Sequence, residues 1–404
     1  MQYAALSDLP PELIEKIISY TADDDLQRAV ATLRIAVPSA MIPEDLVFRH
    51  LRLTRPDQPS QLYLRLRRQP ELGEYARTLS LTSWSTDGVA VVNLIRLLPN
   101  LVSLILYIGP TSFNPEELEQ VFQKELSQLE YLSIRFRPYV QRANYYQFLK
   151  GAYFDSALLQ LSRWTPGHLP SLSIVQDPLD PDVQRKQKFA QPLVFFRLDP
   201  YLSALAQCDY LSTVSSFRLR IPGRQVARSL ASSSRALPSL EFLDLTTCNV
   251  MESDVHLILT RFSRLRHLVL DACAIVRPEM HESDWFNFGK QCATIGVHRA
   301  RQREKLLKAW LEEQVAIEER VYEKYGLAGP PSTSKAPPKA RRGRRGLATA
   351  TISLREKDAG AQAEPAGVQL PKEMRAFVPK VRILPALPPL LSIATSPAVP
   401  GRGI

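Results

Sequence analysis

The chain of 404 residues contains four cysteines and six histidines, the side chains that most often bind metals or act as nucleophiles and bases. Cys208, Cys248, Cys273 and Cys292 are separated by at least 18 residues, whereas structural zinc sites draw their cysteines from closely spaced pairs. The histidines are scattered, and neither a phosphate-binding glycine loop nor a G-x-S-x-G turn occurs. The sequence therefore predicts no metal site, no cofactor and no enzymatic activity.

Three carboxylates lie close together in the segment Asp177–Asp182, at positions 177, 180 and 182. Such a group is able to hold a cation. Two prolines in the segment favour turns, and the basic residues at 185–188 follow directly. An exposed loop is therefore favoured over a cation site.

The positive charge of the chain is concentrated at its C-terminal end. The whole chain carries a net charge of +10, and residues 326–404 contain thirteen basic and four acidic residues, a net charge of +9. The same segment holds 12 of the 32 prolines, so it cannot bury enough apolar surface to offset the entropy of ordering its backbone. We predict a disordered basic tail over 326–404. Because the remaining body is nearly neutral, nucleic acid is an unlikely partner.

The tail contains a dense basic patch that is a candidate nuclear-import signal. Its residues are Lys339, Arg341, Arg342, Arg344 and Arg345. A solvated linker is the alternative interpretation, so the expected location is the nucleus, the cytoplasm or both. No uninterrupted apolar run reaches the roughly 18 residues that a membrane-spanning helix needs, and no membrane partner is expected.

Two amphipathic helices are predicted within the first 40 residues. Pro10 and Pro11 suit a first helical turn, where a missing N–H is tolerated. Apolar residues then recur at 13, 14, 17 and 18, which is the spacing of one helical face. The acidic residues 23–25 are predicted to form a polar turn, and a second helix is predicted from Leu26 until Pro38 ends it.

This arrangement resembles the F-box, whose pattern is Leu-Pro-x-Glu-Leu/Ile, a pair of isoleucines one turn later, an acidic turn and a leucine. The matching residues are Leu9, Pro10, Glu12, Leu13, Ile17, Ile18, Asp25 and Leu26. The resemblance implies a small helical domain over residues 1–50 that binds a Skp-type adaptor. The implied adaptor-binding residues are Leu9, Pro10, Leu13, Ile17, Ile18 and Leu26. The alternative is a helical hairpin that only caps the following domain.

The following region is periodic. The segments Leu240–Val250 and Leu265–Ile275 both obey L-x-x-L-x-L-x-x-C-x-aliphatic and begin 25 residues apart, and weaker copies begin at 76, 101, 129, 169 and 214. Each L-x-L predicts a short strand, and the intervening residues predict returning helices at 87–98, 115–126 and 252–262. The pattern resembles leucine-rich repeats. It implies an irregular α/β solenoid over residues 51–280, with strands on the concave side and an insertion at about 139–212.

A long helix is predicted over residues 284–325. Its first half is basic and its second half acidic, and a partial apolar stripe lasts about two heptads, less than the three or four that support a coiled coil. The favoured interpretation is a helix that caps the last repeat. A short coiled coil and a partner-binding helix are the alternatives.

An F-box followed by irregular leucine-rich repeats resembles the substrate receptors of cullin-type ubiquitin ligases. The resemblance implies an SCF-type E3 subunit in which the F-box binds the Skp-type adaptor and its cullin, while the repeats bind an unknown protein target. The alternative is a nuclear repeat scaffold with no role in ubiquitin ligation. A first helix whose apolar residues were wholly buried against residues 45–80 would favour that alternative.

Overall fold

The structure is a computed structural model. It describes residues 9–21, 23–37, 42, 44–109, 112–137, 154–178, 194–275, 281–325 and 392–394. The chain divides into two compact units, and the first comprises Met1–Arg301 together with Pro388–Ile404. The second unit is Gln302–Leu387.

The first unit begins with helices and continues as alternating strands and helices. Its opening elements are α1 (Pro11–Ser19), α2 (Asp23–Ala36), α3 (Glu44–Arg49), β1 (His50–Leu53), α4 (Gln58–Arg68), α5 (Glu71–Glu74) and β2 (Thr78–Leu81). The middle elements are α6 (Gly88–Arg96), β3 (Ser103–Ile108), α7 (Pro115–Gln123), β4 (Tyr131–Phe136), α8 (Asp155–Ser162), β5 (Ser171–Gln176) and α9 (Leu198–Gln207). The last are β6 (Ser216–Arg220), α10 (Ala227–Leu230), β7 (Phe242–Asp244), α11 (Glu252–Arg261), β8 (His267–Val269), the start of α12 (Glu282–Tyr325) and β9 (Ser392–Ala394).

The first two helices begin and end close to the predicted positions, with one correction. Pro11 is the first residue of α1, as expected for a proline whose missing N–H is not needed there. The acidic residues 23–25 do not form a turn but the first turn of α2. Carboxylates are stabilised at the positive end of a helix dipole, so an acidic triplet starts a helix as readily as it interrupts one.

The nine strands that the structure describes form one parallel sheet in chain order, and each pairs with the next. The connecting helices also contact one another in chain order, from α4 with α6 to α10 with α11. Strand therefore lies against strand and helix against helix, with each strand–helix segment contacting the segments before and after it. This is the arrangement in which periodic leucines build one continuous core.

The strand register pairs the same positions that the sequence alignment matches. Across the sheet the first core position is Leu79, Leu104, Leu132, Leu172, Phe217, Leu243 and Leu268. Each of these side chains is buried. Because side chains alternate between the two faces of a strand, the residues between the leucines point to the other face.

The structure contains one strand before the first predicted copy, and it places the strand of the copy at 169 inside the predicted insertion. β1 adds a strand before the first predicted copy, and its Leu51 and Leu53 are buried like later leucines. The predicted insertion at 139–212 contains β5, which pairs with both β4 and β6. It also contains α8 and most of α9, which contact each other in the helical layer. Much of that range is therefore regular repeat structure joined by longer connections.

The N-terminal part of α12 packs on the last repeat, as a capping helix would. Phe288 is buried in the large core, with Cys292 and Ile295 partly buried against it. The buried guanidinium of Arg299 donates hydrogen bonds from Nη2 to the carbonyl oxygens of Phe262, Ser263 and Leu265. These carbonyls belong to the segment that connects α11 to β8.

The second unit is described from Gln302 to the end of α12. In this part of the helix Leu306, Leu311 and Val315 are exposed, and Glu304 pairs with Lys308 at 2.8 Å. The tail predicted to be disordered lies outside the described residues except for Ser392–Ala394. These three residues form β9 in the first unit, so the prediction does not hold for them.

Candidate interaction surfaces

The first helices build a small core that is separate from the core of the sheet. Its buried residues are Ile14, Ile18, Leu26, Val30 and Ile42. The large core begins at Phe48, and Val47 contacts both cores. The side chain of Gln27 donates to the carbonyl oxygen of His50 at 2.9 Å, which ties α2 to the first strand.

The apolar residues of α1 fall on two sides of the helix. Ile14 and Ile18 are 4% and 3% exposed in the small core, whereas Leu13 and Ile17 are 46% and 50% exposed. Tyr20 follows on the same side as Leu13 and Ile17, because residues three and four apart in a helix are neighbours. We name Leu13, Ile17 and Tyr20 the helical face.

The six predicted adaptor-binding residues therefore divide into two groups. Pro10, Leu13 and Ile17 are exposed, whereas Ile18 and Leu26 are buried in the small core. Leu9 is half-buried and packs against that core. Leu13 and Ile17 are exposed, so the complete burial of the first helix that would favour a simple capping role does not occur. The nuclear-import candidates lie outside the described residues.

A second candidate surface lies on the face of the sheet opposite the leucines. At the C-terminal ends of β2 to β5, the rings of Trp84 and Tyr107 stack with centroids 4.6 Å apart. The guanidinium of Arg135 lies 5.9 Å from the Trp84 ring centroid, and that of Arg137 lies 5.6 Å from it. Arg135 Nε donates to Asp177 Oδ1 at 2.7 Å. We name these five residues the Trp84 cluster.

The backbone fixes the Trp84 cluster from several strands. The amides of Arg137 and Asp177 donate to Ile108 and Phe136 on the preceding strands, which extends the parallel ladder past the strand ends. A side chain at Gly109 would collide with the carbonyl oxygen of Trp84, so glycine allows the Trp84 loop to lie against the end of β3. Asp177, once a candidate for a cation site, instead accepts a hydrogen bond from Arg135, and Asp180 and Asp182 lie outside the described residues.

A second group of charges lies on the same face at β6 and β7. Asp244 is buried and accepts from Arg218 Nε at 3.1 Å and from Arg220 Nη2 at 2.6 Å. Burial alone would raise the pKa of Asp244, but hydrogen bonds from Arg220 and Thr246 hold it below its usual value. The two guanidinium groups remain partly exposed. We name Arg218, Arg220 and Asp244 the Asp244 cluster.

The repeat cysteines serve the fold. Cys248 Sγ donates to the carbonyl oxygen of Leu219, and Cys273 Sγ donates to that of Leu245, one repeat earlier in each case. Burial raises the pKa of both thiols to about 12, so they are poor nucleophiles. Among the residues the structure describes, no cluster of three metal-binding side chains occurs. In the same residues, no helix is both long and apolar enough to cross a membrane.

Comparison with known proteins leaves the family open. No family model matches the chain, and neither does any curated protein. Nineteen chains of solved structures match, and one belongs to the crystal structure of the Rad7 and Elc1 complex in yeast. That match has 15% sequence identity and a TM-score of 0.22, and it covers 68% of this chain and 90% of the other. A similarity at this TM-score supports no conclusion about function.

Proposed function

We propose that the chain is the substrate-recognition subunit of an SCF-type ubiquitin ligase. In this proposal the N-terminal helices bind a Skp-type adaptor with its cullin, and the repeated sheet region binds the target protein. The chain itself performs no chemistry and needs no cofactor. The observation that carries the proposal is the division of the α1 apolar residues into a buried and an exposed side.

The exposed side is difficult to explain without a partner. Ile14 and Ile18 are the α1 residues buried in the small core, so packing of that core does not require Leu13 and Ile17 to be apolar. A helix that packs on one side normally carries polar residues on the other. Contiguous exposed apolar side chains are typical of protein interaction sites. The F-box resemblance supplies the adaptor as the partner.

Capture of the purified full-length chain by a Skp-type adaptor with its cullin tests the proposal. The double substitution Leu13→Asp with Ile17→Asp is expected to abolish capture, because each aspartate would have to be desolvated at the interface. Both positions are exposed, so the small core should remain folded. Leu9→Ala is a poorer test, since Leu9 contacts that core.

The matched control is Leu64→Asp with Val89→Asp, which changes two exposed apolar residues on α4 and α6. This variant should be captured like the unmodified chain. If the control loses capture equally, or if the unmodified, folded chain is not captured, the adaptor proposal is wrong. The nuclear scaffold would then be the better hypothesis.

Nuclear import through Lys339–Arg345 stays a prediction, tested by the location of a chain with alanines at its basic residues.

A further inference from the structure

The two clusters on the sheet face contain the same charged groups. The Trp84 cluster contains Arg135 and Arg137 with one aspartate, and the Asp244 cluster contains two arginines with one aspartate. Each cluster therefore carries a net charge of +1. Outside the basic tail the chain is nearly neutral. The excess positive charge of the two clusters is therefore a local feature of this face.

The aspartates hold the arginines in position and leave donors available. Arg135 uses Nε for Asp177 and Nη1 for the Tyr107 hydroxyl, and Arg218 uses Nε for Asp244, so Nη2 of Arg135 and both outer nitrogens of Arg218 can still donate. Arg137 is exposed and forms no ion pair with a described residue, while the Trp84 ring supports its guanidinium. Guanidinium groups held in this way are suited to bind carboxylates through two parallel hydrogen bonds.

The strand register sets the distance between the clusters. Arg135 on β4 is level with Val175 on β5, which is level with Arg220 on β6. Adjacent strands lie about 4.8 Å apart, so Arg135 and Arg220, one residue from each cluster, are separated by roughly 10 Å across the sheet. The half-buried side chain of Val175 lies between them.

We propose that this face binds an acidic segment of a partner protein, in which two acidic side chains are separated by two residues. In a polyproline II segment, residues i and i+3 lie on the same side about 9 Å apart, which matches the spacing of the clusters. One carboxylate contacts the Trp84 cluster and the other contacts the Asp244 cluster. The inference rests on the proposed function in one respect, since it identifies the partner as the target protein.

A fluorescein-labelled peptide with two glutamates separated by two prolines, and prolines at both ends, is a suitable probe. Fluorescence anisotropy with the full-length chain should show binding that weakens with added salt. Replacing both glutamates by glutamine should abolish binding, and a peptide with only one proline between the glutamates should bind more weakly. Equal binding of the peptides with one and with two prolines between the glutamates would overturn the assigned spacing.

The variant Arg137→Glu with Arg218→Glu should weaken binding about tenfold, because two attractions of modest strength become repulsions. The control variant Arg96→Glu with Arg235→Glu changes two exposed arginines outside the clusters and should bind within about twofold of the unmodified chain. The basic tail is unchanged in both variants, so their difference reports the sheet face. If the two variants bind equally, the proposal is wrong.

Two further measurements separate the possible failures. If the double glutamate variant does not give the unmodified thermal unfolding curve, Arg137→Gln with Arg218→Gln replaces it, with about fivefold weaker binding expected from the lost attractions. Adaptor capture is measured on the same proteins and should be unchanged. Normal capture without peptide binding would overturn the acidic-segment inference alone, whereas peptide binding without capture would overturn only the proposed ligase function.

Discussion

The N-terminal helices and the repeated sheet region use aliphatic side chains in different ways. In the sheet region, leucines occupy the buried side of β1 to β8, and hydroxyl and charged residues occupy many alternate positions. On α1, apolar residues occupy both the buried side and a second, exposed side. On the strands the core accounts for the leucines, whereas on α1 it accounts for Ile14 and Ile18 and leaves Leu13 and Ile17 exposed. In the proposed function this difference makes the helical face the surface that binds the adaptor.

Because the sheet region has the larger core, we predict the largest loss in the free energy of unfolding for a substitution there. Leu132 is fully buried in the middle of the sheet, so Leu132→Ala should lower the free energy of unfolding by about 3 kcal/mol. Urea unfolding followed by circular dichroism measures the change. Leu64→Ala, at an exposed leucine, should change it by less than about 0.5 kcal/mol. Similar losses for the two variants would contradict the assigned core.

A smaller and local effect is expected in the small core. Ile18→Ala should cost about 2 kcal/mol, and because only five residues are buried there, the loss should appear as local opening of α1 and α2. Hydrogen exchange should show faster exchange over residues 11–36 with little change in β3 to β6. If protection falls equally in both regions, the helices and the sheet unfold as one unit and the distinction between them fails.

Much of the sheet could be predicted because its leucines recur in two clear copies. The alignment of Leu240 with Leu265 extends to weaker copies, and the observed register pairs these positions across the sheet. β1 and β9 were missed because each is short and lacks a complete copy of the pattern. The copy at 169 predicts β5, but its distance in sequence from the neighbouring copies also predicts an insertion.

The α1 residues were predicted as a set, but the sequence did not separate the exposed from the buried ones. Leu13 and Ile14 differ in position by only about 100° around the helix, so the neighbours of α1 decide which is buried. The Trp84 cluster was missed because its residues come from four different repeats. A signal was present, since Tyr107 and Arg135 each follow the second leucine position of their repeat, as Arg220 of the Asp244 cluster does.

The Asp244 cluster allows a test on the polar face of the sheet. Asp244→Asn removes the charge that Arg218 and Arg220 share, and it should lower the free energy of unfolding by about 1.5 kcal/mol at neutral pH. The pKa of Asp244 is lowered on folding, so its contribution is complete above the unfolded pKa of about 3.9 and is lost as the pH falls below it.

The free energy of unfolding of the unmodified chain and of the Asp244→Asn variant, measured from pH 7 to pH 3, checks this direction of the pH dependence. The difference between them should be constant down to about pH 5 and should shrink below about pH 4. Arg264 and Arg266 share the more exposed Glu241, so Glu241→Gln is a matched control with an expected loss of less than about 0.5 kcal/mol. A difference that grows towards acid pH would show that Asp244 is not held ionised by its arginines.

The smallest effect is expected where the sheet ends. β9 pairs with β8 in parallel, and the register places Ile393 level with Leu268, the last buried leucine of the first core position. An unpaired strand exposes a row of backbone N–H and C=O groups, so β9 protects the edge of the sheet. Ile393→Pro should interrupt this pairing, because proline lacks the N–H and fits poorly within a strand. We expect faster hydrogen exchange at 267–269 and a loss of about 0.5 kcal/mol in the free energy of unfolding.

The matched control for the β9 test is Ala398→Pro, which adds a proline to the same tail outside the strand. It should leave exchange at 267–269 unchanged. If Ile393→Pro also has no effect there, β9 does not protect the sheet edge, and β8 is the last strand that contributes to stability. If only Ile393→Pro increases exchange, the C-terminal strand β9 protects the last edge of the sheet, whereas the N-terminal helices α2 and α3 contact the first strand, β1.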